Sequence, residues 1–112
     1  MESDSAHTQR LELRRGALVL AVLSQLRLPQ YGYSLRQALA ERGMLIEEGT
    51  LYPLLRRLDA QGLLTSEWRV DDGPPRRYYQ LNSAGIAMLD TLTRAWDDLV
   101  MTMTGLLHGE AP

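Results

Sequence analysis

Two groups of side chains in this chain have the types and spacing for chemistry. One runs through EGTLYPLLRRLDAQGLL (Glu48–Leu64), where Thr50, Tyr52, Pro53, Arg56 and Arg57 stand outside a ladder of leucines. The other is RRYYQL (Arg76–Leu81), which follows a Gly-Pro-Pro turn. Hydroxyls, phenols and guanidinium forks donate hydrogen bonds, and Arg matches phosphate and the guanine edge in bidentate geometry. That is the chemistry of recognition. Bond-making chemistry has no comparable set. His7 and His108 stand near the ends of the sequence and Cys is absent, so neither a zinc site nor a thiol nucleophile is expected. Glu47–Glu48, Asp71–Asp72 and Asp97–Asp98 are adjacent pairs that point different ways on a helix or strand, which suits solvation rather than acid–base work. No glycine-rich phosphate loop is present. The expectation is a protein that is not an enzyme and holds no metal or cofactor.

The elements that must position these groups follow from periodicity. Gln9 to about Leu26 suggests a helix whose centre, ALVLAVL, is apolar on all sides and so needs more than one packing partner. A second helix is expected from Tyr31 or Ser34 to Arg42, with Ser34 and Gln37 at capping-box spacing, Leu35, Ala38 and Leu39 as the buried stripe, and Gly43 as the stop. Leu45 or Ile46 should anchor the connection that follows. In the third helix, from Gly49 or Thr50 to Gln61, Leu51, Leu54, Leu55 and Leu58 follow the i, i+3, i+4, i+7 rule. Thr50 suits an N-cap there, and Pro53 would fall in the first turn. At 100° per residue the leucines centre one face; Gly49, Pro53, Arg56 and Ala60 lie opposite, flanked by Thr50, Tyr52 and Arg57. Leu64, Ser66, Trp68 and Val70 alternate with Thr65, Glu67, Arg69 and Asp71, which is strand spacing. Arg76–Leu81 returns as a second strand after the turn at Asp71–Pro75. Asn82 or Ser83 then caps a helix reaching about Leu107. Along it Gly85, Leu89, Leu92, Trp96, Leu99, Met103 and Leu106 recur at 4, 3, 4, 3, 4, 3, a heptad seam that calls for a partner helix.

Three short helices, a hairpin and a long helix make a winged helix-turn-helix, mainly α, with a two-stranded wing and a dimerisation arm. The expected divisions are a tail at 1–8, a recognition domain at 9–82, the arm at 83–108 and a second tail at 109–112. In such a fold the second helix of the motif enters the major groove, N-terminal half first. Arg56 or Arg57 is suited to guanine or phosphate, Thr50 and Tyr52 to phosphate, and Arg76 and Arg77 to the flanking backbone or minor groove. Arg76 and Arg77 are equally placed to pair with Asp71 and Asp72 across the hairpin.

Size and charge bound this reading. With 112 residues, 45% of them hydrophobic, the chain has the length of one globular domain. The formal net charge of −2 does not by itself favour nucleic acid. Its distribution matters more: residues 34–82 carry seven Arg and seven acids, whereas residues 83–112 carry one Arg and four acids. The acidity therefore gathers in the arm and leaves room for local basic patches. The longest apolar run, Ala17–Leu23, is well below the roughly 18–20 residues that span a bilayer. The polar start MESDSAHTQ is unlike a signal peptide, and the absence of Cys suits a reducing interior, so a cytoplasmic location is expected.

The chain resembles the PadR family of bacterial transcriptional regulators, short type. The resemblance rests on RGALVLAVL (15–23), YGYSL (31–35), GTLYPLLRRLDAQGLL (49–64) and GPPRRYYQLNSAG (73–85). It implies a homodimeric winged-helix repressor that binds inverted-repeat double-stranded DNA operators. Thr50, Leu51, Tyr52 and Pro53 match the family's recognition-helix start, and Arg76, Arg77, Tyr78 and Tyr79 match its wing strand. Ser34, where an acid is common, joins Thr50, Tyr52, Pro53, Arg56, Arg57, Arg76 and Arg77 as a DNA-binding candidate; Asn82 replaces the usual Thr. The dimerisation candidates are Leu89, Leu92, Trp96, Leu99, Met103 and Leu106. Trp96 suits plain interface packing. Alternatively it faces its two-fold mate and sandwiches a flat aromatic effector, with Leu92, Ala95, Leu99 and Met103 lining the seat and Asp97 or Asp98 drawing a cationic one. The competing function is a winged helix used for protein–protein contact without DNA readout.

Overall fold

The computed structural model describes residues 3–109. Four helices and three strands are present among them, in the order α1 (Asp4–Ser24), β1 (Gln30–Tyr31), α2 (Gly32–Glu41), α3 (Glu48–Ala60), β2 (Leu64–Arg69), β3 (Arg76–Leu81) and α4 (Ser83–His108). The architecture is a mainly helical winged helix-turn-helix followed by a long arm.

Each element has a local cause. The Ser3 side chain accepts from the Ala6 amide and starts α1 at Asp4. The helix therefore occupies most of the segment expected as a tail to residue 8; residues 1, 2 and 110–112, the outer parts of both expected tails, lie outside the described residues. It ends at Ser24, short of Leu26, although Leu26 is fully buried in the loop beyond. In α2 the N-cap is Tyr31, not Ser34. Ser34 sits three residues inside, where its Oγ accepts from the Tyr31 amide at 3.1 Å and donates to the Tyr31 carbonyl at 3.0 Å. In α3 the N-cap is Glu47 rather than Thr50. Pro53 is thereby the sixth helical residue, beyond the first turn, and its missing N–H leaves the Gly49 carbonyl without an intrahelical donor.

The core lies where α1, α2, α3 and the sheet meet. Val22 and Leu23 of α1, Leu35 and Leu39 of α2, and all four leucines of the α3 ladder are buried with Leu64, Tyr79 and Leu81 of the sheet. Ile46 anchors the connection before α3, while Leu45 faces solvent. Two arginines brace that connection: Arg14 donates to the Leu45 carbonyl at 2.8 Å, and Arg36 donates to the Ile46 carbonyl at 3.1 Å and pairs with Glu48 at 3.0 Å. The sequence suggests a two-stranded wing, but the antiparallel sheet has three strands in the order β1-β3-β2. Gln30 and Tyr31 pair with Tyr79 and Tyr78, closing the free edge of β3. A strand of two residues has no periodicity to read.

The arm is joined to this domain through Asn82, which accepts from the Gly85 amide and donates to the Gly62 carbonyl, both at 2.9 Å. Gly85 is buried against the Leu63 carbonyl; a Cβ there would stand 2.1 Å from that oxygen. Leu89 is 4% exposed and belongs to the chain's own core, with Leu92 half-buried beside it. No helix among the described residues is long and apolar enough to cross a membrane.

Candidate nucleic-acid interface

The outward face of α3 is built by the same spacing that buries its leucines. Gly49, Thr50, Pro53, Arg56, Arg57 and Ala60 are exposed, and Tyr52 is half-buried. Tyr52 rests on the start of α2: a Cβ on Gly32 would stand 2.0 Å from the Tyr52 Cε1, so the missing side chain of Gly32 is what admits the ring. The outward-facing helix α3 and the start of α2 are thus fitted together by a glycine and a phenol.

The wing is bound to α3 by a polar junction. Arg77 donates from Nη2 to Asp59 Oδ2 at 3.0 Å and to Ser66 Oγ at 2.9 Å, and Ser66 donates to the same Asp59 oxygen at 3.0 Å. One carboxylate at the C-terminal end of α3 therefore holds both wing strands. Arg77 pairs with Asp59 and not with Asp71 or Asp72, the alternative that the hairpin sequence leaves open. Arg76 turns to the other side of β3 and lies over the Tyr31 ring at 4.5 Å, while Arg69 lies over Tyr78 at 4.3 Å. Tyr31 meets Tyr78 edge-on at 5.3 Å. The Tyr31 ring orients the Arg76 guanidinium, whereas Arg69 also pairs with Glu67, its Nε donating to Oε1 at 2.8 Å.

Between α3 and the wing lies a concavity of about 370 Å³. Arg56, Arg76 and Arg77 line it together with Tyr31, Tyr33, Tyr52, Tyr79, Gly32 and Trp68. None of these is a carboxylate. In a chain of net charge −2, that is a local concentration of cations and phenols, suited to an anion with several oxygens.

Of the sequence candidates, Tyr52, Arg56, Arg76 and Arg77 come together there. Pro53 sits on the outward face of α3. Thr50 instead borders a separate groove with Tyr33 and Arg36, and Arg57 lies in the last turn of α3, away from the concavity. Ser34 is occupied with the backbone of Tyr31. Sequence reasoning misses Trp68, Tyr31, Tyr33 and Asp59. Trp68 shares the strand face of Leu64 and so suggests burial, yet β2 runs off the end of the core and the indole is 65% exposed. YGYSL carries a usable signal in its two tyrosines around a glycine; nothing local marks Asp59.

On the arm the heptad seam divides. Leu89 and Leu92 face the chain's own domain, whereas Ala95, Trp96, Leu99, Met103 and Leu106 are exposed. Val100, Met101 and Leu107 beside them are exposed as well.

Comparison with known proteins bears on the family and the fold. The PadR-like family of transcriptional regulators matches residues 19–91. The crystal structure of a PadR family transcriptional regulator from Eggerthella lenta is 47% identical and superposes with a TM-score of 0.88, covering 96% of each chain. A transcriptional regulator of Mycobacterium tuberculosis is 45% identical over 75 residues, covering 67% of this chain and 70% of that protein. A PadR-like transcriptional regulator from Bacillus cereus is 29% identical with a TM-score of 0.77, covering 88% of this chain and 99% of that one.

Proposed function

Since the chain belongs to the PadR-like family of transcriptional regulators, and so acts in DNA-binding regulation rather than catalysis, we propose that it is a homodimeric repressor of an inverted-repeat operator. The observation that carries the DNA face is the concavity between α3 and the wing, which gathers three arginines and four tyrosines without a carboxylate. In this reading the N-terminal half of α3 enters the major groove, with Thr50, Tyr52 and Pro53 at its leading end. Arg56 and Arg57 take guanine edges or phosphates, and Arg76 holds the flanking backbone. Arg77 and Ser34 act one step back, holding the wing and the start of α2 in place. Two copies joined through Trp96, Leu99, Met103 and Leu106 would set the two α3 helices about 34–36 Å apart, one turn of DNA.

The same arm offers an effector seat. Two facing Trp96 rings, with Ala95, Leu99 and Met103 around them, would take a flat apolar molecule, and Asp97 or Asp98 would favour a cationic one. A ligand that prefers one arm angle over another would shift the spacing of the reading heads. On this reading Trp96→Ala still dimerises but loses tight binding of planar dyes; unchanged dye affinity would leave Trp96 as interface packing alone.

A gel shift against the DNA upstream of the protein's own gene, repeated across a salt series, tests the function. Binding should weaken steeply with salt, and Arg56→Ala and Arg76→Ala should each weaken it and lower the salt slope by about one. If both variants bind as the parent does, the assigned face is wrong.

A further inference from the structure

Trp68 makes no side-chain hydrogen bond in the network that ties the wing to α3. It lies opposite Arg77 in the sheet register, on the face of β2 that Leu64 and Ser66 turn inward. An indole brings 150–250 Å² of mostly apolar surface, roughly, together with a single N–H donor, and left in water that surface contributes little. This one is nevertheless well placed. Arg77, its cross-strand neighbour, is held to Asp59 and Ser66, so the backbone beneath Trp68 is fixed relative to α3. Tyr52 and Arg56 stand across the same concavity, Arg76 completes its rim, and no lining residue is acidic. A polyanion with apolar segments between its charges fits such a surface: the guanidinium groups suit the charges and the indole face suits what lies between them.

We propose that Trp68 seats the sugar-phosphate backbone of one operator strand where it passes between α3 and the wing. The ring face packs on a deoxyribose, and Nε1–H points toward the neighbouring phosphate. This rests on the DNA-binding reading and adds to it a contact of a different kind. An arginine that neutralises a phosphate releases counterions and steepens the salt dependence; a sugar packed on an indole adds affinity and releases none. The two kinds of contact therefore have separable signatures.

The test uses the full chain labelled with 5-fluorotryptophan and the DNA fragment upstream of its own gene. The fluorine signals of Trp68 and Trp96 are assigned with Trp68→Phe. Adding DNA should shift the Trp68 signal. Trp68→Ala should lose roughly tenfold in affinity with the salt slope unchanged, Trp68→Phe should retain most of it, and both should melt near the parent temperature. A Trp68 signal unmoved at saturating DNA, or parental affinity in Trp68→Ala, would overturn the proposal. So would a loss of affinity with a shallower slope, because it would make Trp68 a shield for Arg77 instead. If the parent protein binds the fragment and only these signatures fail, the DNA-binding reading stands without the tryptophan seat; if the folded parent fails to bind, both fall.

Discussion

A guanidinium on a wing strand can stay exposed at the surface or turn inward to hold the strand, and the chain contains one of each kind side by side. Arg76 rests on Tyr31 with its donors outward, whereas Arg77 is bound to Asp59 and Ser66. The sequence makes the two look alike, because their difference depends on where α3 ends relative to β3, and Asp59 is eighteen positions away from Arg77. Asp59→Asn keeps the shape of the junction and removes its charge. The pair is partly exposed, 39% for Arg77 and 24% for Asp59, so the expected loss of stability is only about 1 kcal/mol by urea unfolding. Gly32 is the second decisive position at this scale. Its motif is legible in YGYSL, but its reason is not: it lies against Tyr52, twenty positions on. Gly32→Ala should destabilise the fold by about 1–3 kcal/mol, and pairing it with Tyr52→Ala should recover part of that loss in a double-mutant cycle.

At the scale of elements, the periodic parts are legible and the boundaries less so. The α3 ladder, the stripe of α2 and the alternation of β3 all follow from spacing, because each buries one face and the period records which. Starts are legible only in part: Asn82 caps α4 and Tyr31 opens α2 within the alternatives the sequence offers, but α1 starts at Ser3 rather than a later residue and α3 at Glu47, because caps depend on which of several polar residues the chain turns at. The shift at α3 has a physical consequence. With Pro53 at the sixth position, Pro53→Ala would restore a donor to the Gly49 carbonyl and should stabilise the protein by about 1–3 kcal/mol in thermal or urea unfolding. The root of α4 behaves in the opposite way. Alanine ordinarily favours a helix over glycine by about 1 kcal/mol, yet Gly85→Ala would drive a methyl into the Leu63 carbonyl. A net loss of about 1–3 kcal/mol is expected there, measured as a lower melting temperature.

Viewed as a whole, the molecule is more extended than its length requires. Its radius of gyration is 16.5 Å, against about 13 Å for a compact chain of this size. The excess comes from α4, which at 26 residues runs for about 39 Å and leaves its outer half uncovered. The heptad seam makes that arm legible in the sequence, but it does not show where contact with the chain's own core ends and the exposed stretch begins. Leu89 and Trp96 read identically by period and differ tenfold in exposure, 4% against 45%. The two ends should therefore fail differently. Leu89→Ala should cost about 2–5 kcal/mol of folding stability. Leu99→Asp with Met103→Asp should leave the folded domain intact but convert a sedimenting dimer to monomers; a parent protein that sediments only as a monomer at working concentrations would remove the dimer altogether.

The joint at Asn82 gives that long helix mechanical meaning. Its cap is bonded to Gly62 and Gly85, and the Leu63 carbonyl sits where a side chain would otherwise be, so the arm has no slack at its root. Were head and arm to turn as one body, a swing of about 5° over a length of about 39 Å would displace the far end by about 3 Å and rotate α3 by the same angle. On the proposed dimeric reading, small repacking far out along the shaft would change the pitch of the head.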